Sequence, residues 1–103
     1  MELAGLGRFA DPAVLILSSL AGGEKHGWAL IKDIETFSDV VLGPGTLYGA
    51  LGRLEDRGLV EALPAQQRRR PYRLTAAGVR ALHAYLSHAQ AVASTGLRRL
   101  AQA

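Results

Sequence analysis

The chain has 103 residues, near the size of one domain, and 49% of them are apolar, enough for a core and too many for a disordered sequence. It has no cysteine, which excludes a disulfide framework, a thiolate metal site and a cysteine nucleophile. The net charge of +3 is unevenly spread: nine acids and five bases lie at or before Glu61, a net of −4, and seven arginines with no acid follow it, a net of +7. So one-sided a segment calls for an anionic partner, nucleic acid above all, because a merely solubilising surface mixes both signs. Arg8 interrupts the only candidate leader, and the apolar run over 13–21 is too short to span a membrane. A soluble, cytoplasmic protein is expected, with no membrane partner.

Residues 1–10 show no clear period and read as an arm or a short helical turn. Asp11-Pro12 is a helix start, with Asp as N-cap and Pro at the first position, where its missing N–H does no harm. Val14-Leu15-Ile16-Leu17 is apolar on all sides, so this helix belongs deep in the core, and Gly22-Gly23 ends it. A second helix is predicted over 25–37. Gly27, Leu30, Ile31 and Ile34 form its buried face, and Lys32, Asp33 and Glu35 its outer one. Trp28 falls beside that stripe, either as an amphipathic residue at the core margin, the preferred reading, or as a stacking platform.

Residues 43–60 read as a turn, a helix of about three turns and a strand. Leu47, Leu51 and Leu54 recur at helical spacing, so one face is buried. Gly58 stands where a left-handed C-terminal residue is wanted, with Leu59 placed to close the end by an apolar contact. The opposite face carries Thr46, Gly49, Gly52, Arg53 and Asp56, all small or polar, as suits a helix lying in a groove. Two extended runs follow, 59–63 and 70–74, joined by a polar, basic tip that contains Arg68-Arg69-Arg70. Pro71 in the second run argues for an edge strand in a two-stranded ribbon.

Thr75 caps a long final helix. Along it Val79, Leu82, Leu86, Ala89, Ala93, Gly96 and Leu100 step alternately by three and four, a heptad seam. A body this small cannot cover such a seam, so a partner helix from a second copy is the simplest expectation. A helix folded back on its own domain is the alternative. The order helix, helix, helix, strand, basic loop, strand, long helix describes a mainly α chain with a small β-hairpin (α+β). This is a winged helix-turn-helix over 1–75 and a dimerisation helix over 76–103. In that architecture the third helix enters the major groove and the wing reaches the backbone or minor groove.

The segment His26-Gly27-Trp28-Ala29-Leu30-Ile31-Lys32 resembles the "HGYxLIK" stretch of PadR-type bacterial transcriptional regulators. Pro44-Gly45-Thr46-Leu47-Tyr48, Leu51, Arg53-Leu54-Glu55 and Gly58-Leu59-Val60 are similar to that family's "PGTLYPALxRLExxGLV" signature. Pro71-Tyr72-Arg73-Leu74-Thr75-Ala76-Ala77-Gly78 is similar to its "YYRLTxxG" run. The single final helix resembles the smaller subfamily. The resemblance implies a homodimeric regulator, usually a repressor, that binds a double-stranded operator and responds to a small hydrophobic or phenolic effector. It implies a phosphate contact at Tyr48, aided by Thr46 and the backbone near Gly45. It further implies base reading by Arg53 and a phosphate contact at Lys32. Arg68, Arg69 and Arg70 at the wing tip, with Arg73 behind them, complete the DNA-binding set. Trp28 replaces the family's usual Tyr, and Gly49 and Gly52 stand where Pro and a longer residue are common, which shifts weight from base reading to DNA backbone and shape.

Enzyme readings find little support. His26, His83 and His88 have no metal or triad spacing, and Gly43-Pro44-Gly45-Thr46 lacks the lysine of a phosphate loop. No cofactor is expected. A protein–protein adaptor that uses the winged fold without reading DNA remains the alternative function.

Overall fold

The structure, a computed structural model, describes residues 11–103; the N-terminal arm expected over 1–10 lies outside the described residues. The elements run α1 (Pro12–Leu20), β1 (Lys25–His26), α2 (Gly27–Ser38), α3 (Pro44–Asp56), β2 (Val60–Ala62), β3 (Pro71–Leu74) and α4 (Ala76–Gln102). Asp11 caps α1 by accepting the Ala13 N–H at 2.9 Å, with Pro12 at the first position. The apolar sequence of α1 is buried as its all-round hydrophobicity requires: Leu15, Ile16, Leu17 and Leu20 sit among Leu30, Ile34, Leu47, Leu51, Leu54 and Val60. The core thus lies where α1, α2 and α3 meet, with the sheet against one side.

Three features correct the expectations from sequence. The second helix begins at Gly27, because Lys25 and His26 form a short strand instead. The Nδ1 of His26 then caps α2 by accepting the Ala29 N–H at 3.5 Å. That extra strand makes the sheet three-stranded, in the order β1-β3-β2, and antiparallel throughout. Pro71 consequently begins the central strand rather than an edge one. A first strand position tolerates the missing N–H, and the Pro71 carbonyl accepts from the Leu63 N–H at 2.8 Å. Asp33 does not stand free in solvent either: the Ser19 hydroxyl donates to its carboxylate at 2.5 Å, which fastens α2 to the end of α1. Lys25 adds to the same junction, its Nζ donating to the Ser19 carbonyl at 2.6 Å.

The end of α3 is a complete left-handed closure. Gly58 has φ +72°, its N–H donates to Glu55 at 2.9 Å, and the Leu59 N–H donates to Leu54 at 3.0 Å. The chain leaving that closure is caught by the start of α4. The Thr75 hydroxyl donates to the Gly58 carbonyl at 2.6 Å and accepts the Gly78 N–H at 3.0 Å. The Thr75 N–H donates to the Leu59 carbonyl at 3.1 Å. That same carbonyl lies against the bare Cα of Gly78, so closely that a Cβ there would overlap it.

Helix α4 has 27 residues and so reaches about 40 Å at a rise of 1.5 Å per residue. Only its first turns are seated on the body, where Gly78 and Leu82 are buried. Leu82, expected on the intermolecular seam, is 6% exposed and belongs to the core of its own chain, because it falls in the stretch that packs beside α1 and β3. Beyond Leu86, which still lines a groove on the body, the helix leaves it, giving the molecule extents of 55 × 28 × 20 Å. No helix among the described residues is long and apolar enough to cross a membrane.

Replacing Gly78 by Ala tests the close approach. Alanine is the better helix former by about 1 kcal/mol, yet the overlap with a backbone oxygen forces α4 off the Leu59 turn. A net destabilisation of about 1–3 kcal/mol is expected in chemical denaturation. An unchanged or raised midpoint would show that the contact imposes no constraint.

Candidate nucleic-acid interface

The first turn of α3 is open. Gly43 caps it without a side-chain hydrogen bond, Pro44 occupies the first helical position, and Gly45 and Thr46 are exposed. The N–H groups of such a turn have no partner within the helix, and the helix dipole makes the end electropositive. An anion is their natural complement. Tyr48, one turn in, is 52% exposed, and its ring reaches back across the start of α2. The hydroxyl lies directly over Gly27, where any Cβ would collide with it, so the glycine of the "HGW" stretch is the seat of the tyrosine.

On the outward face of α3, Gly49 and Gly52 leave the backbone bare. The Arg53 guanidinium lies back along the helix over Gly49, with Nη1 3.6 Å from the place a Cβ would take. Arg53 is therefore held along the helix surface beside that bare face rather than projecting from it. Lys32 stands on α2 with its Nζ 5.3 Å from the centre of the Trp28 ring, a cation–π pair. Trp28 itself is 60% exposed, more open than the core-margin reading of this residue expected, on the side of α2 that faces the wing.

The wing closes on a two-residue turn. Gln66 and Arg69 exchange both backbone hydrogen bonds, at 2.7 and 2.9 Å, while Gln67 and Arg68 between them have φ of 51° and 68°. Positive φ at both central positions is what the tight hairpin turn needs, and it is met here without glycine. The turn carries Arg68 and Arg69 to the tip, and Arg70 follows; all three are exposed. A cleft of about 270 Å³ is lined by His26, Gly27, Trp28, Tyr48 and these three arginines. The structure thus draws the wing tip, the N-terminus of α2 and Tyr48 around one space. Arg73 is not among them: its Nε donates to Glu61 across the β2–β3 pair at 2.5 Å, so its charge is already matched on the sheet.

Tyr72, on the central strand, was not among the residues singled out from sequence. Burial pushes its phenol above the ordinary value, with the neighbouring Glu55 and Tyr48 adding to the rise and Arg70 opposing it. The only sequence signal of Tyr72 was its place in the "PYRLT" run. Among the described residues no three His, Asp or Glu side chains come together in a way that would hold a metal ion.

Three core helices, a third helix with an open N-terminus, and a basic hairpin beside it define a winged helix-turn-helix. The sequence profile of the transcriptional regulator PadR-like family matches residues 16–84, and the chain belongs to that family, whose members are transcriptional regulators and not enzymes. Among solved structures it is similar to a transcriptional regulator from Clostridium thermocellum, with 28% identity and a TM-score of 0.71 over 81% of this chain and 86% of that one. It is also similar to Bacillus subtilis PadR in complex with operator DNA, with 25% identity and a TM-score of 0.65 over 72% of this chain and 45% of that one. A 37.1 kDa protein in transposon TN4556 of Streptomyces fradiae is 49% identical over 71 residues. That match covers 69% of this chain and spans only 21% of the length of the relative.

The bare face of α3 can be probed by Gly52→Ala. Apart from its chain neighbours and the helix's own backbone, no described atom lies within 4 Å of the position a Cβ would take. The substitution should raise stability by about 1 kcal/mol through helix propensity. If the face meets DNA closely, the same variant should bind duplex DNA less tightly than the parent. A variant both more stable and equally tight-binding would show that the bare surface is not used.

Proposed function

We propose that the chain is a dimeric DNA-binding transcriptional regulator, a cytoplasmic repressor that leaves its double-stranded operator when a small hydrophobic or phenolic molecule binds. The observation that carries this reading is the convergence of Tyr48, the open start of α3 and Arg68, Arg69 and Arg70 on one side of the body. Helix α3 enters the major groove in this reading. Gly45, Thr46 and Tyr48 hold a phosphate at its N-terminus, Arg53 meets base edges, and Lys32 adds a backbone contact from α2. The three wing arginines grip the backbone or minor groove, while Arg73, matched by Glu61, braces the wing rather than gripping DNA. The Bacillus subtilis relative, seen with operator DNA, supports the same mode.

Residues 1–75 form the DNA-binding part in this account and residues 76–103 the pairing helix. Beyond Leu82, α4 presents Leu86, Ala89, Ala93, Gly96 and Leu100 along one side, with Val79 at its base. Leu97 and Leu100 are 68% and 73% exposed, apolar surface that a second copy would remove from water. The effector would lodge where the paired helix meets the body. A shallow apolar groove of about 280 Å³ there is lined by Ala21, Leu74, Val79, Leu82, His83 and Leu86.

A mobility shift on DNA upstream of the encoding gene tests the reading. Preference for that DNA over random sequence at physiological salt is expected. Replacing Arg68, Arg69 and Arg70 together by Ala should weaken binding and lower the slope of log affinity against log salt by roughly 0.9 for each phosphate left unneutralised. An unaltered slope would favour a protein–protein adaptor instead. For the pairing helix, Ala93→Glu with Leu100→Glu should convert a dimer to a monomer in sedimentation equilibrium while helicity by circular dichroism is kept. A mass unchanged by both charges would rule out the seam.

A further inference from the structure

Trp28 is the single tryptophan of the sequence, and it is left 60% exposed, a large ring kept at the surface. It stands on the first turn of α2, and one end of its surroundings is cationic: Lys32 Nζ lies 5.3 Å from the ring centre. The other end is the cleft it shares with Tyr48, Arg68, Arg69 and Arg70. A ring flanked on both sides by positive groups, with no acid lining the cleft, is set for an anionic polymer that also has apolar surface. The sugar–phosphate backbone of DNA is such a polymer, with deoxyribose for the ring face and phosphate oxygens for the surrounding donors.

We propose that Trp28 is a DNA-backbone contact, its ring packing against a deoxyribose and its indole N–H donating to the adjacent phosphate. This rests on the DNA-binding reading above. The Lys32 pair holds the ring in place before DNA arrives, so little side-chain freedom is lost on binding. The contact reads no bases: it adds affinity to operator and non-operator duplexes alike. It also spans the distance between the phosphate seat of Tyr48 and the wing, making one continuous backbone track out of two separate elements.

The test uses the whole chain and two readouts. Anisotropy of a labelled duplex reports binding, and tryptophan emission, excited apart from the tyrosines, reports Trp28 alone. DNA should change the emission and shield it from iodide at the same stoichiometry as the anisotropy change. Trp28→Ala should lower affinity about tenfold for operator and random duplex equally, the size expected for a hydrogen bond to a charged group. Trp28→Tyr, which keeps a ring and a donor, should recover most of that affinity, and Trp28→Phe, with a ring and no donor, should recover only part. Circular dichroism should be the same for all three, since the side chain lies outside the core. If the duplex binds and the emission and iodide access stay unchanged, the contact is wrong while the DNA reading stands. If Trp28→Ala binds as tightly as the parent, the contact is equally refuted. If no duplex binds at all, both fall together.

Discussion

The Leu59 carbonyl is held in one place from two sides, and much of the structure depends on it. The left-handed closure at Gly58 turns the chain out of α3 so that this carbonyl faces α4. There the Thr75 N–H and the bare Cα of Gly78 receive it. Only hydrogen at residue 78 leaves room for this contact. Its consequence is mechanical: the last turn of the helix proposed to enter DNA and the first turn of the helix proposed to pair are fastened together. A second copy that fixes the direction of α4 would thereby fix the direction of α3, and a molecule wedged beside α4 would disturb both.

The site is built with few side chains. Gly27 yields its place to the Tyr48 hydroxyl, and Gly49 leaves a bare patch of backbone beside the Arg53 guanidinium. The outward face of α3 is consequently low and smooth, and cationic groups stand around it on Lys32 and on the wing. A smooth helix between charged flanks suits close approach to DNA and reading of its shape and backbone more than of base edges. The wing tip carries a cost for its tightness. Gln67 and Arg68 adopt a left-handed conformation that glycine would take more easily, at about 1–2 kcal/mol for each residue. In return the turn closes on two backbone hydrogen bonds, and its arginines share a cleft with Tyr48.

What the sequence made legible was local. Asp11-Pro12, Thr75 and Gly58-Leu59 each announce a helix end through chemistry contained in a few residues, and the structure forms all three. The apolar spacing of Leu47, Leu51 and Leu54 likewise named the buried face of α3. What stayed hidden was decided by partners distant in the chain. Lys25 and His26 form a strand only because Tyr72 and Pro71 lie alongside, which in turn moves Pro71 to the middle of the sheet. Asp33 has the helical position of an outward residue, and the Ser19 hydroxyl of α1, with Lys25 Nζ 3.9 Å away, engages its carboxylate. Trp28 lies beside the apolar stripe, and periodicity cannot say whether a neighbour covers it. Leu82 shares the heptad step of the seam, yet the body reaches that far along α4 and claims it.

The central claim is that a pair of chains, joined through α4, presents two α3 helices in a fixed relation to DNA. Selection of bound sequences from a pool of random duplexes tests it most directly, because neither the target nor the effector has to be identified beforehand. The account predicts that the recovered sequences share an inverted repeat, with half-sites about one helical turn, roughly 10 base pairs, apart. Recovery of a single unpaired half-site, or of no shared sequence feature at all, would contradict it.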